Sequence, residues 1–336
     1  MYFIANQLIE FATLKYFKLG YQSLCRWDCG WYSTIVDHGY DYRASAHPNL
    51  DAANWAFFPA FPFTSKLLQE LSGLTTPLSL IVTSKILFFL SLWFFVSLKD
   101  SYKPKVSTHT ALAVAALNPY SIYGNVGYSE SFFLLFSCIF FIKLKENNII
   151  LSATAAALLS AIRPVGFAAL VSYTAATYTK FKIADSTTRR RILIGILICP
   201  LGLSFFMIYL HYLTGDALAF SHVQRAWARI PESPFKRILN GLNGDQINCY
   251  WSILSTISLI CCLYLYKSRQ IPLFLFSLIC TITPLSTGLW AMPRYIFWQA
   301  PILLTVSEVL AENKIIRIFF ITAGIAGYIY MTIAWS

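Results

Sequence analysis

Charge is scarce in this sequence. Only 12% of its 336 residues are Asp, Glu, Lys or Arg, against about 25% in ordinary globular chains. Hydrophobic residues make up 57%, and a soluble fold is excluded because that apolar surplus has to face lipid. A basic domain is also missing. The formal net charge is +11, yet Lys and Arg fall between hydrophobic segments, which argues against nucleic acid and makes them topology signals. No cysteine framework exists either. Cys138, Cys199, Cys261, Cys262 and Cys280 lie inside apolar runs as small hydrophobes, and no spacing suggests a metal site. Cys25 and Cys29 flank a short polar stretch where a bond is chemically allowed outside the membrane, but spacing alone does not establish one.

What is present is a series of apolar stretches near the length that spans a hydrocarbon core, which have to be helical because unpaired backbone in lipid is costly. Cutting at the polar interruptions predicts an all-α integral membrane protein with about ten transmembrane helices. They cover 78–98, 110–124, 131–143, 149–162, 165–178, 192–213, 249–266, 271–287, 295–311 and 318–335. Alternate loops collect the positive charge: Lys99, Lys103 and Lys105; Lys143 and Lys145; Lys180, Lys182 and Arg189 to Arg191; Lys267 and Arg269; Lys314 and Arg317. They mark the cytoplasmic face. The opposite face receives an outer loop, 21–77, which holds most of the unusual polar residues, and a second long loop, 214–248. The whole chain thus reads as one domain, with transmembrane blocks at 78–213 and 249–336.

Two segments look interfacial. Residues 1–20 carry Ile4, Leu8, Ile9, Phe11 and Leu14 on a helical repeat beside Glu10, Lys15 and Lys18, too short an apolar length to span readily. In 214–248, Phe220, Val223 and Trp227 alternate with Arg225, Arg229, Lys236 and Arg237, a pattern suited to anionic headgroups.

The polar exceptions on the outer face carry the chemistry. Arg26-Trp27-Asp28 and Trp31, followed by Asp37-His38-Gly39-Tyr40, place an acid among aromatics just outside the membrane. There a carboxylate can take a proton from a substrate hydroxyl while the rings stack on a sugar. An interfacial aromatic belt with a capping aspartate is the competing reading. Asn54 to Pro62 is either an aromatic surface or the packing of a re-entrant loop, and its two prolines argue against a regular helix. Glu130, in Tyr128-Ser129-Glu130-Ser131, has to be paired or functional at the mouth between two short spans. Arg163 and Arg294 are each followed or preceded by proline on the same face. Converging on one cavity, they would present planar forks to a donor phosphate, and otherwise each pairs with a nearby acid.

In their order these motifs, with Trp55 to Pro62, Asn118-Pro119 and Ile162-Arg163-Pro164-Val165-Gly166, resemble the PIG-V family, across most of residues 22–170 and again at Pro293-Arg294-Tyr295. The chain looks like a bacterial relative of the second mannosyltransferase of glycosylphosphatidylinositol assembly. The resemblance implies a GT-C fold and an inverting transfer, without metal or other cofactor, of mannose from a polyprenyl- or dolichyl-phosphate donor to a glycan, glycolipid or protein acceptor. The site would face the periplasm or exterior of a bacterial inner membrane. Asp28 matches the family's first-loop acid, the general base, and Glu130 the acid of its YSES-like turn. Arg26, Trp27, Trp31, Asp37, His38 and Tyr128 are expected to bind substrate. A departure is the short segment before the catalytic loop: either the amphipathic segment 1–20 replaces the family's first helix, or the chain start is truncated, or a membrane subunit supplies the helix. A lipid-linked-sugar transporter, or an inactive scaffold, would gather similar residues, but no internal duplication of the transporter kind is visible.

Overall fold

The computed structural model describes residues 1–46 and 51–335. Seventeen helices account for nearly all regular structure among them. Helix α1 (Tyr2–Tyr16) leads into α2 (Asp28–His38), and a two-residue antiparallel pairing of Ser45–Ala46 with Asp51–Ala52 precedes α3 (Ala60–Ser72). Pro62 is inside α3 but in its first turn, where the N–H it lacks would have no intrahelical acceptor. The expectation of irregular backbone throughout 54–62 therefore holds only up to Pro59.

The bundle follows: α4 (Thr76–Tyr102), α5 (Thr108–Ala116), α6 (Glu130–Lys145), α7 (Ile149–Ile162), α8 (Ala168–Ile183), α9 (Ser186–Ile198) and α10 (Leu201–Thr214). After α11 (Ala219–His222) and α12 (Pro234–Leu242) come α13 (Gln246–Lys267), α14 (Ile271–Leu285), α15 (Met292–Ile296), α16 (Ala300–Glu312) and α17 (Lys314–Trp335). Four stretches are long and apolar enough to cross a membrane: α4, the run Ser186–Thr214 through α9 and α10, α13 and α17. Helices α7 and α14 are apolar but shorter, and each of the remaining expected spans overlaps a helix of 9 to 16 residues. Large apolar side chains such as Leu197, Phe205, Tyr212, Ile315 and Phe319 project outward, as lipid-facing residues do.

Helix α6 lies at the centre of the site's support, packed between α4 and α7. Its 16 residues rise roughly 24 Å, so Glu130 at its start stands a full helix length from Lys143 and Lys145 at its end. The basic cluster and the acidic residue thus occupy opposite ends of the bundle.

Helix α1 does not present the face expected of an interfacial helix. Its buried stripe is Asn6, Glu10, Thr13 and Leu14, while Ile4, Leu8 and Phe11 point away from the protein. Asn6 donates to Ala116 O (2.8 Å) and Ser121 Oγ (3.1 Å), Gln7 donates to Asn125 (2.8 Å), and Glu10 pairs with Lys85 of α4 while accepting from Tyr328 of α17. A helix with polar residues inward and apolar ones outward is packed as a member of the bundle. The short apolar length misled because the polar residues that interrupt it are satisfied by protein.

The second long loop divides in two. Phe220, Val223 and Trp227 turn inward, with Phe220 edge-on to Phe58 and Trp227 edge-on to both Trp31 and Phe57. This part covers the first loop, contrary to the expectation that it lies on headgroups. In α12 the pattern does face outward: Phe235, Leu239 and Leu242 are exposed at helical spacing, and Ile238 is buried.

Candidate functional site

The site forms where four chain segments meet at one end of the bundle: the start of α2, the start of α6, the turn after α7, and α15. Asp28 opens α2, preceded by Trp27 in the left-handed region (φ 49°), a costly conformation for a bulky residue. Cys25 and Cys29 are disulfide-bonded around it, so the bond that spacing left open is formed and encloses Arg26, Trp27 and Asp28. Gly127 backs the bond with φ +73°; a Cβ there would fall 2.5 Å from Cys29 Sγ. Tyr128, fully buried, receives the Asp28 backbone N–H on its hydroxyl (3.2 Å).

Glu130 is fully buried, and so has to be compensated. Oε1 is bound by Arg163 and approached at 2.9 Å by Arg294 Nε, an ion pair without an aligned hydrogen bond. Oε2 has no hydrogen-bond partner among the described residues. Arg294 Nη2 reaches across to Asp28 Oδ2 at 2.6 Å. Arg163 Nε also donates to Ser129 Oγ (3.2 Å), which accepts from Tyr32 as well (3.0 Å). Acid, arginine, acid and arginine form one chain, with Asp28 at its more open end: its side chain is 22% exposed, against 0% for Glu130.

Local backbone explains the placement of Arg163. Helix α7 stops at Ile162 because Pro164 cannot extend it and drives its predecessor into extended backbone, φ −155°. Gly166 lets the chain fold back on α7, since a Cβ there would meet Leu159 O at 2.0 Å. The carbonyl of Arg163 accepts the N–H of Gly166 at 2.9 Å, and the side chain is left facing Glu130.

Asp28, Glu130, Arg163, Arg294 and Tyr128 thus come together, as the sequence leads one to expect, with both arginines engaged by acids. Trp27 is exposed beside Asp28, its ring edge-on to Trp335. Trp31 stacks on Phe57. Arg26 is exposed and contributes its carbonyl to Tyr128 (3.4 Å). Asp37 and His38 are elsewhere. They end α2, roughly 14 Å of helix from Asp28, exposed, and Asp37 accepts from Thr76 at the start of α4. They are too far from Asp28 to orient it, so that part of the expectation is corrected.

Three residues were not legible as site residues. Tyr295 lies under three guanidinium groups, with Arg163, Arg229 and Arg294 at 5.5, 5.6 and 5.4 Å from its ring centre. Arg229 reaches the site from the second loop, and Ser129 joins Tyr32 to Arg163. The sequence signals for Tyr295 are its adjacency to Arg294 and its place in the Pro293-Arg294-Tyr295 turn; nothing marks Arg229 among the basic residues of its loop.

No protein family matches the chain, and no curated protein does, so the resemblance to the PIG-V family rests on its ordered motifs alone. Among solved structures, the chain is similar to the Archaeoglobus fulgidus oligosaccharyltransferase, crystallised with zinc and sulfate. The two share 11% identity with a TM-score of 0.45, over 91% of this chain and 48% of that one, so this chain spans about half of that protein's length.

Proposed function

We propose that the protein is a membrane glycosyltransferase that moves a hexose, mannose by the family resemblance, from a polyprenyl-phosphate donor to an acceptor hydroxyl on the non-cytoplasmic side. The observation that carries this reading is the chain Asp28, Arg294, Glu130, Arg163 at the end of the bundle remote from the lysine clusters.

In this reading Asp28 is the general base, because it is the more open of the two acids and adjoins the exposed ring of Trp27. It accepts the acceptor's hydroxyl proton as the oxygen attacks the anomeric carbon. The carbon–oxygen bond to the lipid phosphate breaks on the opposite face, so a single displacement inverts the configuration, and the phosphate departs with the bonding pair. Arg294 aims Asp28 and holds a positive charge beside it. Glu130 holds both arginines in place. The Cys25–Cys29 bond suits an oxidising compartment.

The test is direct. Purified protein in detergent, given labelled mannosyl phosphoprenol and a panel of glycan and glycolipid acceptors, should release prenyl phosphate and produce labelled acceptor. Failure with every hexosyl donor would refute the proposal. Turnover in detergent, where the preparation has no two sides, separates an enzyme from a transporter.

A further inference from the structure

Three guanidinium groups and two carboxylates surround Tyr295, and the arithmetic leaves one cation over. Arg163 and Arg294 are taken by Glu130 and Asp28. Arg229 forms no pair with an acid among the described residues: its contacts are Thr287 Oγ1 at 3.4 Å and the Tyr295 hydroxyl at 3.3 Å, both at the loose end of hydrogen-bond range. Those contacts use two of the five guanidinium donors. The nearby Glu232 offers no compensation, because Lys236 and Arg237 hold it at 3.5 and 3.4 Å.

The backbone aims this residue. The 3₁₀ turn Val223–Trp227 is closed by Ala228 in the left-handed region (φ 53°), a conformation few alanines adopt, and the chain reverses there, so Arg229 turns back over Tyr295. Trp227, two residues earlier, anchors the turn on Trp31 and Phe57 of the first loop. A half-buried arginine held this way, with donors to spare and no acid, is arranged for an anion supplied from outside.

We propose that Arg229, with Thr287 and Tyr295, is the phosphate-binding site of this protein, in place of Arg163 and Arg294, and that it recognises an anion of one formal charge such as a phosphodiester. This rests on the glycosyl-transfer reading for its role but not for its existence. A singly charged phosphodiester balances the excess cation. Tyr295 is a positioning residue, its hydroxyl holding the Arg229 fork.

Binding of farnesyl phosphate, farnesol and inorganic phosphate to detergent-purified protein tests the site. Wild-type protein should bind farnesyl phosphate at least tenfold more tightly than farnesol. Arg229→Gln should lose about tenfold of that affinity, Arg229→Lys part of it, and Arg225→Gln, an exposed neighbour without a contact at the site, none; melting temperatures of all three confirm folding. Equal binding by Arg229→Gln and wild type overturns the proposal, as does equal binding of farnesol and farnesyl phosphate. Competition by inorganic phosphate at equal concentration supports the anion site and assigns it to free phosphate; competition only by lipid phosphates assigns it to the donor. Arg229-dependent binding in a protein that transfers no hexose would leave this site standing and refute the glycosyltransferase reading.

Discussion

Arg294 Nη2 lies 2.6 Å from Asp28 Oδ2, and the same guanidinium approaches Glu130 Oε1 at 2.9 Å. The proposed base is therefore held in place by the residue that shields it from a second carboxylate. Asp28→Asn keeps the shape and the contact with Arg294 but removes the basicity. Transfer should fall by at least about 100-fold, with farnesyl phosphate affinity within about twofold of wild type. Retained turnover in this variant would remove Asp28 from the role of base.

Arg294→Gln should behave differently. It leaves Asp28 and buried Glu130 with one fewer cation between them, and breaking a buried pair costs about 3–5 kcal/mol. The expected result is a large loss of stability in denaturant titration as well as lost activity. The double variant Arg294→Gln/Asp28→Asn, which leaves the Arg163–Glu130 pair intact, should recover much of the stability and none of the activity, which separates support of the fold from chemistry.

The disulfide gives a third prediction. The Cys25–Cys29 bond brackets Trp27, whose left-handed backbone the ring must hold, and Asp28 sits inside the same ring. Reduction, or the Cys25→Ser/Cys29→Ser double variant, should lower transfer several-fold while the bundle, most of whose core residues lie outside this ring, keeps its melting temperature within a few degrees. Intact-mass analysis after alkylation under denaturing, non-reducing conditions should show six modified cysteines and, after reduction, eight. Eight at the outset would show that no bond exists.

How far the sequence reached is clearest in particular residues. Asp28, Glu130, Arg163 and Arg294 were legible because a charged residue beside an apolar helix needs a partner or a task, and the structure supplies partners for all of them. Helix α6 separates Lys143 and Lys145 from Glu130 by a helix length. Arg229 was not legible, since its role depends on Ala228 turning the chain back, and nothing in the pattern of its loop singles it out. His38 misled because proximity in sequence to Asp28 was taken for proximity in space across an eleven-residue helix. Helix α1 misled for a different reason: its periodicity was clear, but periodicity does not say which side meets protein.

That last point yields the most discriminating test of the fold. Glu10 is fully buried, Lys85 nearly so, and they pair across α1 and α4 with Tyr328 closing the group from α17. If α1 were a detachable interfacial helix, Glu10 would contact water and Lys85→Met would be nearly neutral. In the packed arrangement Lys85→Met strands a carboxylate inside the bundle and should destabilise it by about 3–5 kcal/mol. Adding Glu10→Gln should restore most of the loss, because the amide carries no charge and still bonds Tyr328. Denaturant titration of the two single variants and the double variant measures the coupling: a coupling energy near zero would place α1 outside the bundle, and one of several kcal/mol would make it an integral helix, with its polar stripe turned inward.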